Sequence, residues 1–351
     1  MEKQSKIYIA GHSGLVGSSI VRSLNAKGYS KMITRSQNEL DLKDQAAVRG
    51  FFELEKPDYV FLAAAKVGGI LANSTYKADF IYDNLVIATN VIEASYRFGV
   101  KKLLNLGSSC IFPKLADQPL KESSLLTGLL EPTNEPYAIA KIAAIKMCRY
   151  FNEQYGTNYL SVMPTNLYGP GDNFDLEKSH VLPALIRKFH LAKLLSGRNL
   201  EALRADVVKR SIGFQFSIDR SWSDSQLEKA LASIGIGAEK VTLWGTGSPY
   251  REFLYVDDLA EACVYLMEKY DAKDLGEFVN IGFGSDITIK EVARLVSSVV
   301  GYPGSTMFDS SKPDGTPRKF LDSGRITKLG WKPKVSLEDG IKLEYNWYLK
   351  N

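Results

Sequence analysis

The chain has 351 residues, of which 45% are hydrophobic and 24% charged, so it can bury a full core and lacks the composition of a disordered protein. Its net charge of +4 is too small for nucleic-acid binding as a main function but suits an anionic small-molecule ligand. The widely spaced Cys110, Cys148 and Cys263 fit neither a disulfide framework nor a zinc cluster, and they predict a reducing cytoplasm. We recognise no secretion signal and no run of about 18 apolar residues that would span a membrane.

A glycine-rich turn follows the first predicted strand. Residues 6–10 are apolar, residues 11–17 contain three glycines, and residues 18–27 have helical spacing. This order is typical of dinucleotide binding, because the backbone can approach a pyrophosphate and the free amides of the helix point toward it. The cofactor-binding residues predicted here are Gly11, His12, Ser13, Gly14, Leu15, Val16 and Gly17. A turn without a ligand is the alternative interpretation.

The second predicted strand, at 31–34, is followed by a cation. An NAD-preferring fold places an acidic residue there, on the ribose hydroxyls. This chain has Thr34, Arg35 and Ser36 instead, which favours a 2′-phosphate and therefore NADPH. An exposed arginine without a ligand is an equally good interpretation of Arg35 alone.

Strands and helices continue to alternate through the amino-terminal half. Apolar runs predict strands at 59–65, 101–106 and 159–163, and helical spacing predicts helices at 46–55, 78–98 and 137–155. Parallel strands need covering crossovers of this length. The pattern therefore predicts an α/β fold built on a doubly wound parallel sheet.

Reactive side chains follow the strand at 101–106 and begin the next helix. Ser108 and Cys110 come at the carboxyl end of that strand, where open parallel sheets bind ligands. Tyr137 and Lys141 are i and i+4 on a helix, so the ammonium can stabilise a phenolate and lower a pKa that is near ~10 in free tyrosine. These four residues are catalytic candidates. A solvated tyrosine and lysine pair and a buried structural thiol are the alternatives.

After Gly171 the regular alternation stops, which predicts a second domain. We expect residues 1–171 to form an NADP-binding Rossmann domain, rejoined by about 252–283. Residues 172–251 and 284–351 would form a smaller α/β substrate-binding domain. Within it, residues 193–240 contain two amphipathic helices, at 200–209 and 225–233, and no cluster of site-like residues. They predict a surface insertion that is dispensable for chemistry.

Taken together, the glycine-rich turn, Ser108, Tyr137 and Lys141 resemble the extended short-chain dehydrogenase/reductase family of nucleotide-sugar enzymes. The resemblance runs nearly from end to end and omits only about 193–240. Segments 64–70, 134–137, 164–170, 179–183 and 312–319 resemble most closely the members that act on GDP-4-keto-6-deoxy-D-mannose.

The resemblance implies that GDP-4-keto-6-deoxy-D-mannose is epimerised at C3 and C5 and then reduced at C4 by NADPH to GDP-L-fucose. Ser108 and Tyr137 would stabilise the enolate oxygen. Cys110 and His180, whose ordinary pKa values of ~8.5 and ~6.5 bracket neutrality, would exchange protons at carbon. Lys141 would support the Tyr137 phenolate and a ribose hydroxyl.

Further contacts are implied by the same resemblance. Besides the glycine-rich turn and Arg35, the implied cofactor contacts are Asp41, Leu42, Ala64, Leu106, Gly107, Ser108, Ser109, Tyr137, Lys141, Pro164, Thr165, Asn166, Leu167 and His180. The implied contacts with the GDP part of the substrate are Lys188, Trp244, Arg251, Asp314 and Lys319. No metal is implied, and a homodimer would form through the long helices at 78–98 and from Tyr137 onward.

The chain departs from the family pattern at three positions. Shorter bacterial members carry arginine where this chain has Ser13, Gln37 and Lys188. The first two departures weaken a 2′-phosphate clamp, and lysine at 188 keeps the charge but loses bidentate geometry.

Two other functions stay open. Another nucleotide-sugar 4-epimerase, reductase or dehydratase of the family would share Ser108, Tyr137 and Lys141 but would not need Cys110 with His180. A non-catalytic NADPH sensor on the same fold would not need both Tyr137 and Lys141.

Overall fold

The computed structural model describes residues 1–214, 216–219 and 221–351, so that Gln215 and Arg220 of the predicted insertion lie outside the described residues. The chain divides into two compact units. The first comprises Met1–Gly171, Glu252–Ser285 and Phe320–Val335, and the second comprises Asp172–Arg251, Asp286–Lys319 and Ser336–Asn351.

The elements follow the predicted alternation of strand and helix through the first unit. Within the described residues, the strands are β1 (Ile7–Ala10), β2 (Met32–Ile33), β3 (Tyr59–Leu62), β4 (Lys102–Leu106), β5 (Tyr159–Pro164), β6 (Asn166–Tyr168), β7 (Lys240–Trp244), β8 (Tyr250–Arg251), β9 (Phe253–Tyr255), β10 (Val279–Ile281), β11 (Ile287–Thr288), β12 (Ser305–Asp309) and β13 (Arg318–Lys319). The α-helices are α1 (Leu15–Ala26), α2 (Gln45–Glu55), α3 (Ile70–Thr75), α4 (Lys77–Arg97), α5 (Glu135–Tyr155), α6 (Val181–Ser196), α7 (Leu200–Lys209), α8 (Asp224–Ser233), α9 (Val256–Lys269), α10 (Ala272–Leu275), α11 (Ile289–Val300), α12 (Gly324–Lys328) and α13 (Leu337–Lys350).

A six-stranded parallel sheet forms the centre of the first unit, in the order β10, β5, β4, β3, β1, β2. Successive side chains of a strand point to opposite faces, and both faces of β1 are buried. Ile7 and Ile9 join an apolar cluster with α1 and α9, whereas Tyr8 and Ala10 join one with α2, α4 and α5. Helices on both faces of a parallel sheet confirm the predicted doubly wound α/β fold.

The second unit contains a three-stranded sheet, in the order β11, β8, β13, and a parallel pair of β12 and β7. α11 packs against α6 and α13. Its buried residues Val292, Val296 and Val300 recur at helical spacing, and a capping box between Thr288 and Glu291 fixes its first turn. No helix in the described part of the chain is long and apolar enough to cross a lipid bilayer.

Helices α7 and α8 lie where the insertion was predicted to contain helices. Both helices are amphipathic, as expected for a surface insertion: Leu203 and Val207 of α7 and Leu227 and Leu231 of α8 are completely buried or nearly so, while residues on the opposite faces are exposed. Burying a leucine side chain stabilises a fold by about 2 kcal/mol. The insertion therefore supplies part of the core of the second unit.

Phe320–Val335 belongs to the first unit, although residues 284–351 were expected to lie in the substrate-binding domain. The backbone amide of Leu120 donates to the Phe320 carbonyl at 2.7 Å. Ile326 and Trp331 are buried in the same apolar cluster as β1 and α9. Pairing and core packing thus place this segment in the first unit, which local sequence patterns do not reveal.

Candidate active site

The glycine-rich turn after β1 and the first turn of α1 each contain one position with no room for a side chain. Gly11 has a φ of +86°, and a Cβ atom on it would lie 2.7 Å from the backbone of Ala64. A Cβ atom on Gly17 would lie 2.0 Å from the Gly11 carbonyl oxygen. Gly14 precedes α1 and provides no side-chain cap, so the first-turn amides suit an anionic ligand.

His12 adds a polar atom to this turn. Its Nδ1 is buried and has no hydrogen-bond partner among the described residues, and such a nitrogen costs free energy unless a ligand or water satisfies it. The neighbouring Ser13 is exposed. A turn that excludes side chains, uncapped helix amides and an unsatisfied imidazole nitrogen fit the pyrophosphate of a dinucleotide.

Arg35 lies in an ion pair. Its Nη2 is 2.6 Å from Glu55 Oε1, at the end of α2, and its Nη1 donates to the Thr34 carbonyl at 2.8 Å. A 2′-phosphate at this position would have to share the guanidinium with Glu55.

Asp41 and Leu42 form a turn after β2. The Asp41 carboxylate accepts from the backbone amide of Lys43 at 3.0 Å, and the Leu42 carbonyl accepts from Asn90 Nδ2 at 2.9 Å. Local hydrogen bonds therefore hold the backbone of both predicted cofactor contacts, while the Asp41 side chain is exposed.

Four of the predicted catalytic residues lie together in the first unit. The Cys110 amide donates to Ser108 Oγ at 3.4 Å. The buried Lys141 donates from Nζ to the Leu106 carbonyl at 2.8 Å, and this nitrogen lies 5.7 Å from the centre of the Tyr137 ring. A negative charge on the buried Cys110 would raise the pKa of both Tyr137 and Lys141, which puts the sulfur within electrostatic range of both.

Burial controls the pKa values of this tyrosine and this lysine. It raises the pKa of Tyr137 well above its ordinary value, and a hydrogen bond from Ser108 acts in the opposite direction. It lowers the pKa of Lys141 from 10.5 to about 8. The net shift of the Tyr137 pKa is therefore upward, opposite to the lowering expected from Lys141, because loss of hydration is the largest influence on this buried phenol.

Phe80 packs against Tyr137, a contact that left no signal in the sequence. Their ring centroids are 6.4 Å apart at 80°, an edge-to-face arrangement. One turn along α4, Asn84 donates to the Phe80 carbonyl at 2.7 Å and exchanges two hydrogen bonds of 3.0 Å with the backbone of Lys66. α4 therefore orients both the Tyr137 ring and the loop after β3.

Glu252 is a second residue that sequence reasoning did not find. It is completely buried, and its carboxylate accepts from the amides of Gly284 at 2.8 Å and Leu321 at 3.1 Å. Its backbone carbonyl accepts from Thr165 Oγ1 at 3.3 Å and from Asn166 Nδ2 at 2.8 Å. Glu252 thus fixes the loop after β5, which contains predicted cofactor contacts. A charged residue directly before the buried strand β9 was the available signal.

His180 belongs to the second unit. It is the N-cap residue of α6, and the residue as a whole is partly exposed although protein atoms surround its imidazole. Reduced hydration lowers the pKa of its imidazole, and the positive charge of Lys319 lowers it further. Its neutral form therefore predominates near pH 7. Among the described residues, no group of three or more His, Cys, Asp or Glu side chains is arranged to hold a metal ion.

Four of the predicted GDP contacts lie near one another in the second unit. Lys319 on β13 pairs in register with Arg251 on β8. Asp314 accepts from the amide and the hydroxyl of Thr246 at 2.9 and 2.7 Å, and its charge opposes the lowering of the Arg251 pKa that burial causes. Trp244, two residues before Thr246, is the last residue of β7 and is 61% exposed. An exposed indole with two cations nearby suits a base and a diphosphate.

Lys188, the fifth predicted GDP contact, lies on α6. Its Nζ donates to the Ile234 carbonyl at 3.1 Å. Burial lowers the pKa of this ammonium to about 8. In the described ranges no carboxylate forms an ion pair with it, so this cation lacks a counter-charge.

A family model described as the NAD dependent epimerase/dehydratase family matches residues 7–207 and 218–282. The chain is 53% identical over 350 residues to GDP-L-fucose synthase 1 of Arabidopsis thaliana, covering 100% of this chain and 95% of the relative. It is 48% identical over 357 residues to the GDP-L-fucose synthase of Escherichia coli strain K12, covering 100% and 98%.

Solved structures are also similar over the whole chain. A GDP-D-glycero-L-gluco-heptose synthase from Campylobacter jejuni, crystallised in the presence of NADPH, is 42% identical with a TM-score of 0.91, covering 99% of both chains. A GDP-L-fucose synthetase from Naegleria fowleri bound to NADP is 26% identical with a TM-score of 0.80, covering 100% of this chain and 96% of the other.

Proposed function

Because the chain belongs to the NAD dependent epimerase/dehydratase family, we propose that it converts GDP-4-keto-6-deoxy-D-mannose to GDP-L-fucose, by epimerisation at C3 and C5 followed by NADPH-dependent reduction at C4. Relatives that are 48% and 53% identical bear the name GDP-L-fucose synthase. The observation that carries the proposal is the buried Cys110 beside Tyr137 and Lys141. Reduction needs only the tyrosine and the lysine, whereas epimerisation at carbon needs a further proton carrier.

Epimerisation begins with the removal of a proton next to the ketone. The hydroxyls of Ser108 and Tyr137 donate to the ketone oxygen and stabilise the enolate that develops there. The Cys110 thiolate takes the proton from C3 or C5, and His180 returns one to the opposite face, which inverts that carbon. Since the neutral form of His180 predominates near pH 7, it takes up a proton from solvent before each transfer.

Reduction uses the same oxygen-binding groups. When bound, NADPH supplies the hydride for C4; the turn from Gly11 to Gly17 suits its pyrophosphate, and the loop after β5 suits its nicotinamide end. Tyr137 gives its hydroxyl proton to O4, and burial keeps the phenol protonated until that transfer. Lys141, oriented by the Leu106 carbonyl, holds an ammonium donor beside the phenol and a ribose hydroxyl.

The GDP end binds to the second unit. The cations of Lys188, Arg251 and Lys319 neutralise the diphosphate. Trp244 offers an exposed ring to the base, and Asp314 accepts hydrogen bonds from it.

The protein acts as a cytoplasmic homodimer. α4 and α5 expose Tyr82, Tyr96, Tyr150 and Tyr155, which are 41 to 63% accessible, and this apolar surface would be covered by the same helices of a second copy. The three cysteines are buried and form no disulfide, which suits a reducing compartment. Sedimentation should give a mass near twice 39.0 kDa, and a monomer would overturn the assembly proposal.

One assay tests the proposed function. The protein is incubated with GDP-4-keto-6-deoxy-D-mannose and NADPH, and the sugar product is identified by NMR. We expect GDP-L-fucose with one NADPH consumed per product. GDP-4-keto-heptoses, tested in parallel, address a second candidate function that the 42% identical heptose synthase favours; faster turnover of a heptose would establish that alternative.

A further inference from the structure

Two consecutive cations of α6 each bind the carboxyl end of one helix of the insertion. Arg187 is completely buried and donates from Nη1 to the Ser211 carbonyl at 2.7 Å and from Nη2 to the Arg210 carbonyl, just after α7. Lys188 donates to the carbonyl of Ile234, the residue that caps α8. The last carbonyls of a helix lack intrahelical partners and carry partial negative charge, so a cation there is favourable.

The two cations differ in what else they meet. Arg187 also bonds Asp206 Oδ1 at 3.1 Å, so a carboxylate neutralises its charge. For Lys188 the described residues provide a neutral carbonyl and no carboxylate. An ammonium has three N–H donors, and Ile234 accepts from one of them. The Lys188 charge therefore remains to be neutralised by an anion from outside the chain.

Residues 235–237, which follow α8, are hydrogen-bonded to β7 and the residue that begins it. Gly235, with a φ of +81°, accepts from the amide of Thr242 at 2.8 Å, and the Gly237 amide donates to the Lys240 carbonyl at 3.0 Å. These bonds attach the end of α8 to β7, which carries Trp244. Lys188 and β7 are thus held by the same short stretch of chain.

We infer that α8 is a positioning element for the nucleotide diphosphate, and that it acts by holding the Lys188 ammonium through the Ile234 carbonyl. An arginine fork is geometrically pre-organised, whereas a lysine ammonium on a flexible four-carbon stem is not. The carboxyl end of α8 supplies the missing orientation. The inference rests on the proposed function, because it takes the anion to be the diphosphate of a GDP-linked substrate.

The test is a double-mutant cycle on GDP binding, measured by titration calorimetry without turnover. Leu231→Ala loosens α8, Lys188→Met removes the ammonium, and Leu203→Ala is the control, an equally buried leucine on α7. We expect Lys188→Met to weaken GDP binding about tenfold or more, Leu231→Ala to weaken it severalfold, and Leu203→Ala to leave it within twofold. Adding Leu231→Ala to Lys188→Met should cause no further loss of GDP affinity.

Additive losses in the double variant, or equal losses from Leu231→Ala and Leu203→Ala, would overturn the inference. If Leu231→Ala does not fold, Ser223→Ala, which removes only the side-chain cap of α8, takes its place in the cycle. Failure of the wild-type protein to bind GDP would refute the nucleotide specificity of the proposed function, and is thereby distinguished from a failure of the α8 inference. As a second readout, Leu231→Ala should raise the KM for the GDP-sugar and leave kcat unchanged.

Discussion

The Arg35 guanidinium is paired with the Glu55 carboxylate, with 2.6 Å between Nη2 and Oε1. The cation on which the predicted NADPH preference rests is therefore shared with a carboxylate. We expect Glu55→Gln to improve kcat/KM for NADPH, by up to about fivefold for a partly exposed pair, without improving it for NADH. Arg35→Ala should reduce the difference in kcat/KM between NADPH and NADH. Glu93→Gln, which breaks the comparable pair with Arg49, is the control, and equal gains with both cofactors would contradict this role of Arg35.

Cys110→Ser should separate epimerisation from reduction. It replaces a thiol of ordinary pKa near ~8.5 with a far less acidic hydroxyl, so proton removal from C3 and C5 should fail while hydride transfer survives. The product should be a GDP-6-deoxyhexose of the wrong configuration. The measurement is deuterium incorporation at C3 and C5 in D₂O with NADP⁺ present, read by NMR. Wild-type incorporation at both carbons would show that another group removes these protons.

Tyr137→Phe should impair reduction more than epimerisation, the opposite of Cys110→Ser. It removes the proton donor for O4 and one of two hydroxyls that stabilise the enolate, so NADPH oxidation should fall by at least about 10²-fold. Deuterium exchange at carbon should be slowed but not abolished, because Cys110 and Ser108 remain. Phe80→Leu is the accompanying variant, since it loosens the ring contact and keeps the hydroxyl. Reduction at the wild-type rate in Tyr137→Phe would exclude this phenol as the donor.

GDP affinity should fall as the pH rises through 8. The pKa of Lys188 is about 8, so at higher pH a growing fraction of the free protein is neutral there and must take up a proton before binding the diphosphate. The Kd should rise by up to about tenfold per pH unit above 8. Lys188→Arg keeps its charge throughout and should show a flatter profile. Parallel profiles for the two proteins, by calorimetry at several pH values, would rule out Lys188 as the titrating group.

Deleting the insertion should prevent folding, which reverses the expectation from sequence. Without α7, Arg187 would lose its bonds to Asp206 and to the Arg210 and Ser211 carbonyls and remain buried and charged. Breaking a buried pair in this way costs about 3–5 kcal/mol, a large part of the stability of an ordinary domain. Soluble expression and thermal unfolding check this. A soluble deletion variant with turnover within about tenfold of wild type would restore the original expectation.

Much of the fold was predictable because its signals are local. The apolar run of β1, the three glycines after it and the helical spacing of α1 lie within one short stretch, as do Tyr137 and Lys141 on α5. The same holds for α7, predicted at 200–209. For such elements neighbouring residues decide the backbone, so period and spacing suffice.

The family, the doubly wound sheet and the four reactive side chains of the first unit could be recognised from the sequence, since each is assembled from short motifs that are readable one at a time. The ion pair of Arg35 with Glu55, the contact of Lys188 with the end of α8 and the return of Phe320–Val335 to the first unit are visible only in the folded chain. The folded chain also raises the pKa of Tyr137, which was expected to be lowered. These outcomes depend on which distant residues come into contact and on how much hydration they lose on burial. Neither can be inferred from the residues that are adjacent in sequence.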